Sequence, residues 1–348
     1  MSEHRIRVGI IGFGRIGNEH AEWISHAKGI RVVAAFDPTP ARRDLAKSKG
    51  LHAVDSIHGI LDDDGIHAVL VSTPTSMHFE HASRALDARK HVMVEKPAAL
   101  NCADYERLMA RSGSSGSVLS VFHNRRYDID YLTVRHAIAS GVLGDRVFNI
   151  ESRLGQWSSC VGPATRDWRP NWRNESAFGG GGLYDWGPHF VDQMLQLMLP
   201  AKPHTVFAQL RANVWSSDPA CDDFARVCID FDNGTAALVE INTTTTRPLP
   251  RWHVDGKLGS MDSPFSLSFD TNEWAKLTFS PANGEVSRLV DRAPEGLTRT
   301  QIWEQFALAC RGEGEPAVTA QSVVPTMRVL DAARESARTG DSVHVSSS

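Results

Sequence analysis

The chain has little cysteine: five residues in 348, Cys102, Cys160, Cys221, Cys228 and Cys310, widely scattered and with no CxxC pair. An odd, dispersed set is expected to build neither a disulfide framework nor a cysteine zinc site, which makes a reducing cytoplasm the expected compartment. Long apolar runs are also missing; nowhere do roughly eighteen apolar residues follow one another, the length a membrane helix needs. The opening "MSEHRIRVGIIGFG" interrupts its apolar run with glycines and offers no small-residue cleavage site, so no signal peptide is expected. Clusters of one charge sign are absent as well. With 37 basic and 41 acidic residues and a net charge of -4, neither nucleic acid nor an anionic membrane surface is an expected partner. Histidine is plentiful, at 15, yet shows no H-E-x-x-H or comparable ligand spacing, so no metal is expected. Neither repeats nor low-complexity tracts occur before the serine-rich tip.

What is present describes an ordinary globular protein, 41% hydrophobic and 22% charged, too long for one core, so two domains are expected. From residue 5 to about 123, short apolar runs alternate with longer amphipathic ones. The runs are "IRVGIIG", "RVVAAFD", "HAVLVSTP", "HVMVEKP" and "SVLSVFH", with helices expected over 16–28, 39–49, 76–88 and 101–112. That alternation predicts an α/β domain, a parallel sheet buried on both faces. Beyond residue 123 the pattern changes. A helix over 128–140 stopped by Gly141, a long strand in "GDRVFNIESRLGQW" and a helix starting near Pro188 precede a strand-rich stretch whose "DNG" is a hairpin signal. A helix ending at Gly340 and the short strand "SVHV" close the chain. The expected organisation is a nucleotide-binding domain over 1–123 and an α+β domain with a large, mostly antiparallel open sheet over 124–348.

In "RVGIIGFGRIG", Gly12, Gly14 and Gly17 stand in G-x-G-x-x-G spacing between an expected strand and an expected helix. Gly12 would turn tightly, Gly14 let a pyrophosphate approach the backbone, and Gly17 let helix and strand pack closely, with Phe13, Arg15 and Ile16 completing the cradle. Twenty residues after Gly17, Asp37 ends the second run. A carboxylate there can accept from both ribose hydroxyls and would repel a 2'-phosphate, which favours NAD; Arg42 and Arg43 keep NADP as the alternative. Asp37 as a turn former before Pro38 is the structural reading.

Ligands of an open α/β sheet sit beyond the carboxyl ends of its strands. Thr73, Pro74 and His78, in "STPTSMH", and Glu95 and Lys96, in "HVMVEKP", are therefore expected at the same edge as Gly12 and Asp37. A lysine there can stabilise a developing alkoxide, or simply reach from a strand end into solvent. Further on, "GGGGLYDWGPHFVDQM" offers Asp185 and His189 four residues apart around Gly187 and Pro188. A histidine can take a hydroxyl proton and a carboxylate can orient it or the hydroxyl. Read singly, Asp185 is equally a helix N-cap and His189 equally a satisfied core residue.

"GFGRIG", "STPTSMH", "VMVEKP", "NRRYD" and "GGGGLYDWGPHFVD" come in the order and spacing of the glucose-fructose oxidoreductase and inositol dehydrogenase family, Gfo/Idh/MocA, which the sequence resembles over nearly its whole length. The resemblance implies that Lys96, Asp185 and His189 form the catalytic set, that the Lys96-Pro97 peptide is cis, and that Asn124 and Arg125 line the substrate pocket. It also implies a homo-oligomer, dimer or tetramer, formed through one face of the second sheet. Trp157, Trp168, Trp172 and Trp186 are candidate walls for a sugar's apolar face, Trp172 foremost because its polar neighbours suggest a loop. The expected activity is NAD(P)-dependent interconversion of a secondary alcohol and a ketone on a sugar, polyol or sugar acid. Cleavage of a glycoside by transient oxidation and a non-enzymatic cofactor-binding sensor are the competing readings.

Overall fold

The computed structural model describes residues 5–157, 172–216, 218–267 and 269–345. They form two compact units, Met1–Asn124 with Leu297–Val324, and Arg125–Gly296 with Pro325–Ser348. The single crossing expected after residue 123 has no place for Leu297–Val324, which returns to the first unit. Its helix Arg299–Cys310 is opened by a capping box, the Thr298 hydroxyl accepting from the Gln301 amide while the Gln301 side chain accepts from Thr298. Trp303 and Phe306 of that helix are fully buried. Two side chains of the first unit tie down the segment that follows: the Tyr105 hydroxyl donates to Ala320 O at 2.7 Å and the Ser120 hydroxyl to Val318 O at 2.8 Å. A local pattern tells which face of a helix is apolar but not which core it enters.

The first unit is a parallel sheet of β1 (Ile6–Ile11), β2 (Ile30–Phe36), β3 (His52–Val54), β4 (Ala68–Val71), β5 (His91–Val94) and β6 (Leu119–Val121), in the order β3-β2-β1-β4-β5-β6. Val8, Ile10, Val69, Leu70, Val92 and Met93 are fully buried, as residues on strands covered from both sides must be. Each such side chain contributes roughly 1.5–3 kcal/mol of transfer free energy. Connecting them are α1 (Arg15–Ser25), α2 (Pro40–Ser48), α3 (His58–Leu61), α4 (His78–Asp87) and α5 (Cys102–Ser115). The five apolar runs become six strands because the edge strand β3 buries only Val54 and has no apolar run to mark it. Strand order reverses between β1 and β4, so the crevice beyond their carboxyl ends is the expected dinucleotide position.

The second unit is built on nine strands, β7 (Val147–Gly155), β8 (Pro203–Arg211), β9 (Phe224–Phe231), β10 (Ala236–Asn242), β11 (Trp252–Gly256), β12 (Gly259–Asp262), β13 (Thr278–Pro281), β14 (Arg288–Leu289) and β15 (Val343–His344). Their order is β14-β13-β12-β11-β7-β10-β9-β8-β15, antiparallel except where β10 runs parallel to β7. The "DNG" signal is the β9–β10 hairpin, with Gly234 at φ 81°. Along β9, Ala225, Val227, Ile229 and Phe231 are buried while Arg226, Cys228 and Asp230 are exposed, so one face is covered and the other open. Helices α6 (Ile129–Ala139), α7 (Gly182–Asp185), α8 (Gly187–Met198) and α9 (Thr271–Trp274), and the helix Val324–Thr339 from its second residue on, belong to this unit. One buried cation knits several of these elements together. Arg251 donates to the Ser152 hydroxyl on β7 and, at 2.7 Å, to Gln193 Oε1 on α8, lies 3.5 Å from Asp130 of α6, and stacks over the Phe190 ring at 3.9 Å. Burial pushes its guanidinium down to about 10, against the pull of Asp130.

Candidate functional site

The glycine turn of the first unit has the shape a pyrophosphate needs. Gly12 takes φ 95°, and a Cβ there would lie 2.8 Å from Ser72 O. At Gly17 a Cβ would lie 2.2 Å from Gly12 O, so helix and strand touch backbone to backbone. At Gly14 it would meet only the Arg42 guanidinium, at 3.1 Å, which leaves that stretch of main chain approachable. α1 then starts at Arg15 with no side chain capping its first amides and no acid in its first turn, the condition in which a helix N-terminus receives a phosphate. These residues fit a dinucleotide. The Phe13 ring is core and its amide donates to Asp37 Oδ2 at 2.9 Å. Arg15 points outward and pairs with Glu19 at 2.5 Å; Ile16 is half-buried.

Asp37 stands at the carboxyl end of β2 and is almost fully buried. Its second oxygen accepts from the Thr39 amide at 2.9 Å, and Arg42 lies 3.6 Å away. Arg43 is occupied otherwise, donating to the Asp37 and Pro38 carbonyls at 2.7 and 2.9 Å. Of the two arginines only Arg42 faces the carboxylate.

At the end of β4, the Ser72 hydroxyl donates to Gly12 O at 2.7 Å and ties this strand to the glycine turn. Thr73 and Pro74 follow, Pro74 entering the 3-10 turn Thr75–Met77. His78 is buried with both ring nitrogens on backbone carbonyls, Nδ1 on Pro97 O at 2.7 Å and Nε2 on Thr73 O at 2.8 Å. It joins the loops after β4 and β5. Burial lowers its pKa, the two carbonyls opposing. Glu95 is likewise engaged within the protein, Oε1 with His20 Nε2 at 2.7 Å and Oε2 accepting from the Lys96 amide at 3.1 Å. Burial pushes the Glu95 carboxyl up, but the His20 hydrogen bond, the Lys96 charge and the Lys96 amide outweigh it and leave the group below its ordinary value. Lys96 itself stands two residues beyond Val94, the last residue of β5, and the Lys96-Pro97 peptide is cis. Asn124 opens the 3-10 turn Asn124–Tyr127 and is half-buried.

In the second unit the glycine run leads into α7, whose last residue is Asp185. α8 begins separately after Trp186, with Pro188 in its first turn and no side-chain cap, so the N-cap reading of Asp185 does not hold. His189 lies in the first turn of α8, buried, its amide donating to Trp186 O at 3.0 Å. Asp185 accepts from Arg173 Nε at 3.1 Å, a partner no motif announced. Arg173 also lies over the Trp172 ring at 4.4 Å, and its carbonyl accepts from Gly181 at 2.8 Å. Arg125 pairs with Asp128 at 2.8 Å and lies against the adjacent rings of Phe269 and Trp186, at 4.3 and 4.8 Å. Trp157 is exposed and packs edge-on against Trp215, and Trp168 lies outside the described residues.

A second acid, also missed, holds the glycine run. Asp222 accepts from Leu183 N at 2.8 Å through its side chain and from Gly182 N at 2.7 Å through its carbonyl. A Cβ on Gly181, at φ 107°, would stand 2.4 Å from Asp222 Oδ1, so this close passage requires glycine. Burial pushes the Asp222 carboxyl up to about 7, with the neighbouring Asp223 adding to the rise and backbone amides opposing it.

Comparison with known proteins accords with this arrangement. Residues 6–123 match the family described as "Oxidoreductase family, NAD-binding Rossmann fold", and residues 131–262 match the GFO/IDH/MocA C-terminal domain. The chain belongs to the Gfo/Idh/MocA oxidoreductase family. It is thus an NAD(P)-dependent oxidoreductase. The Escherichia coli (strain K12) oxidoreductase YdgJ is 36% identical over 61% of the chain and 60% of its own length. The Bacillus subtilis (strain 168) scyllo-inositol 2-dehydrogenase (NADP(+)) IolW is 25% identical over 96% of the chain and 94% of its own. A crystal structure of an NAD-binding protein from Listeria innocua superposes with a TM-score of 0.86 at 29% identity, covering 98% of this chain and 97% of that one. Among the described residues, no helix is long and apolar enough to cross a membrane, and no group of three or more His, Cys, Asp or Glu could hold a metal.

Proposed function

We propose that the chain interconverts a secondary alcohol and a ketone on a polyol or sugar, with inositols the first substrates to try. The observation that carries this reading is Lys96 at the carboxyl end of β5, one strand from β4 and two from β1 with its phosphate-cradling turn. The dinucleotide, when bound, supplies hydride exchange with the carbinol carbon. Lys96 stabilises the oxyanion that develops on the same carbon's oxygen. His189 takes the hydroxyl proton, and carbonyl reduction returns it. Asp185, held by Arg173, orients the hydroxyl or the imidazole. In the second unit Arg125 and Trp172 belong to the substrate side, Arg125 held against the Phe269 and Trp186 rings, and in the first unit Asn124 does. The inositol choice draws on the name of the relative IolW, matched over nearly the full length of both chains.

Asp37 supports NAD as the preferred dinucleotide, while Arg42 beside it keeps the adenosine end compatible with a 2'-phosphate. A homo-oligomer is part of the same reading, since the open face of the second sheet carries Phe207, paired in register with the exposed Cys228. Sedimentation is expected to return a dimer or larger. The direct test of activity is absorbance at the reduced-nicotinamide band with inositols, aldoses and uronates, each offered with NAD and with NADP. Turnover on a polyol or sugar is expected; glycoside cleavage without added dinucleotide, and no net reduction, would replace this reading.

A further inference from the structure

Behind Lys96 lies a buried chain of hydrogen bonds that joins three distant parts of the first unit. His20, on α1, has no exposed surface. Trp23, Phe122 and Trp303 meet its ring edge-on, with centroids at 4.8, 4.4 and 5.5 Å. Within this apolar box each ring nitrogen has one polar neighbour. Trp303 Nε1 lies 3.1 Å from Nδ1, and Glu95 Oε1 lies 2.7 Å from Nε2. An indole N–H can only donate, so Nδ1 must be the acceptor. The proton of the imidazole is thereby assigned to Nε2, where it faces the carboxylate in a charge-assisted bond.

Glu95 uses its other oxygen on the amide of Lys96, at 3.1 Å. The adjoining peptide is gripped from the opposite side by His78, whose Nδ1 lies 2.7 Å from Pro97 O. Lys96 and Pro97 are therefore fixed at both backbone ends by side chains that are themselves fixed. A core that wanted only stability would be served at the His20 position by an apolar ring, since the box around it is aromatic; a polar group there serves Glu95 and what Glu95 holds.

We propose that His20 is a positioning residue for Lys96: it acts through Glu95, and the Trp303 indole selects the tautomer that lets it do so. The inference rests on the reading that Lys96 meets the substrate, and it adds two residues with no contact to substrate or cofactor. It also gives the returning segment Leu297–Val324 a part in the site, because that segment supplies Trp303.

The test is made on the full-length protein with and without NADH, and its first readouts need no substrate. With ¹⁵N-histidine labelling, His20 is expected to show a protonated Nε2 and an unprotonated Nδ1; an Nδ1–H tautomer would overturn the assignment. With ¹³Cε-lysine labelling, His20→Phe is expected to displace the Lys96 resonance. His20→Gln, whose amide can donate to Glu95 and accept from Trp303, is expected to restore it. An unmoved Lys96 signal in a folded His20→Phe protein would refute the proposal. Should that variant fail to fold, Trp303→Phe serves: it removes the donor to Nδ1, so the Nδ1 resonance and the Lys96 signal should both shift, and an unchanged Lys96 signal refutes the proposal equally. On a polyol that the wild type oxidises, His20→Phe should lower kcat at least about tenfold with KM nearly constant, and His20→Gln should recover most of it. Lys96→Met separates the two ideas. If it retains turnover while His20→Phe still moves the Lys96 signal, the role of Lys96 falls and the positioning stands.

Discussion

Asp222→Asn gives the sharpest stability test of the site's construction. The wild-type carboxyl is buried against Gly181 and Leu183, and burial pushes it up to about 7 from an ordinary 3.8. A carboxyl raised on folding keeps its proton in the folded state over a range where the unfolded chain has lost it. The associated stability is therefore fully present below about 3.8 and is lost as pH rises through about 7. A rise from 3.8 to about 7 is worth about 4 kcal/mol at most, because each tenfold gain in proton affinity corresponds to about 1.4 kcal/mol. Asparagine retains an oxygen for the Leu183 amide but has no charge to bury. Urea unfolding of the second unit is expected to show the two proteins converging near pH 4 and diverging toward pH 8, with the variant the more stable by a few kcal/mol. Parallel stability curves for the two proteins across that range would refute the reasoning.

Gly17→Ala would place a Cβ 2.2 Å from Gly12 O, so NADH affinity measured by fluorescence titration should fall at least about tenfold; ordinary affinity would contradict the close backbone packing. Asp37→Asn removes the charge that repels a 2'-phosphate, and the ratio of NADPH to NADH affinity should rise, an unchanged ratio arguing that Asp37 serves only the Phe13 and Thr39 amides. Arg251→Met strands the Asp130 carboxylate in the core of the second unit and should cost about 3–5 kcal/mol in urea unfolding, a loss below about 1 kcal/mol showing that the buried pair does not organise α8.

How much of this was legible in the sequence depended on the range of the interaction. β1, the glycine turn and α1 were readable because a strand, three glycines and a helix start lie within twenty residues and each constrains the backbone locally. The "DNG" hairpin and the first turn at Pro188 were readable for the same reason. The edge strand β3 was not, since His52–Val54 buries only Val54 and carries no apolar run, unlike the equally short β6. Asp185 was recognised, but its partner Arg173 and the buried Asp222 were not, because one hydrogen bond between residues 12 apart and another between residues 39 apart leave no mark on composition. The backbone partners of His78 were not legible, since a motif does not reveal where a ring's two nitrogens point. The return of Leu297–Val324, and with it Trp303 beside a histidine 283 positions earlier, was the least accessible feature.

The central claim is that the ammonium of Lys96 acts on the reacting oxygen and not on the dinucleotide. It is tested most directly by the kcat of Lys96→Met on an oxidisable polyol, measured together with the dissociation constant for NADH. A fall in kcat of about a hundredfold or more with the dissociation constant unchanged is expected. Near-normal turnover, or a loss of turnover fully explained by lost NADH binding, would contradict it.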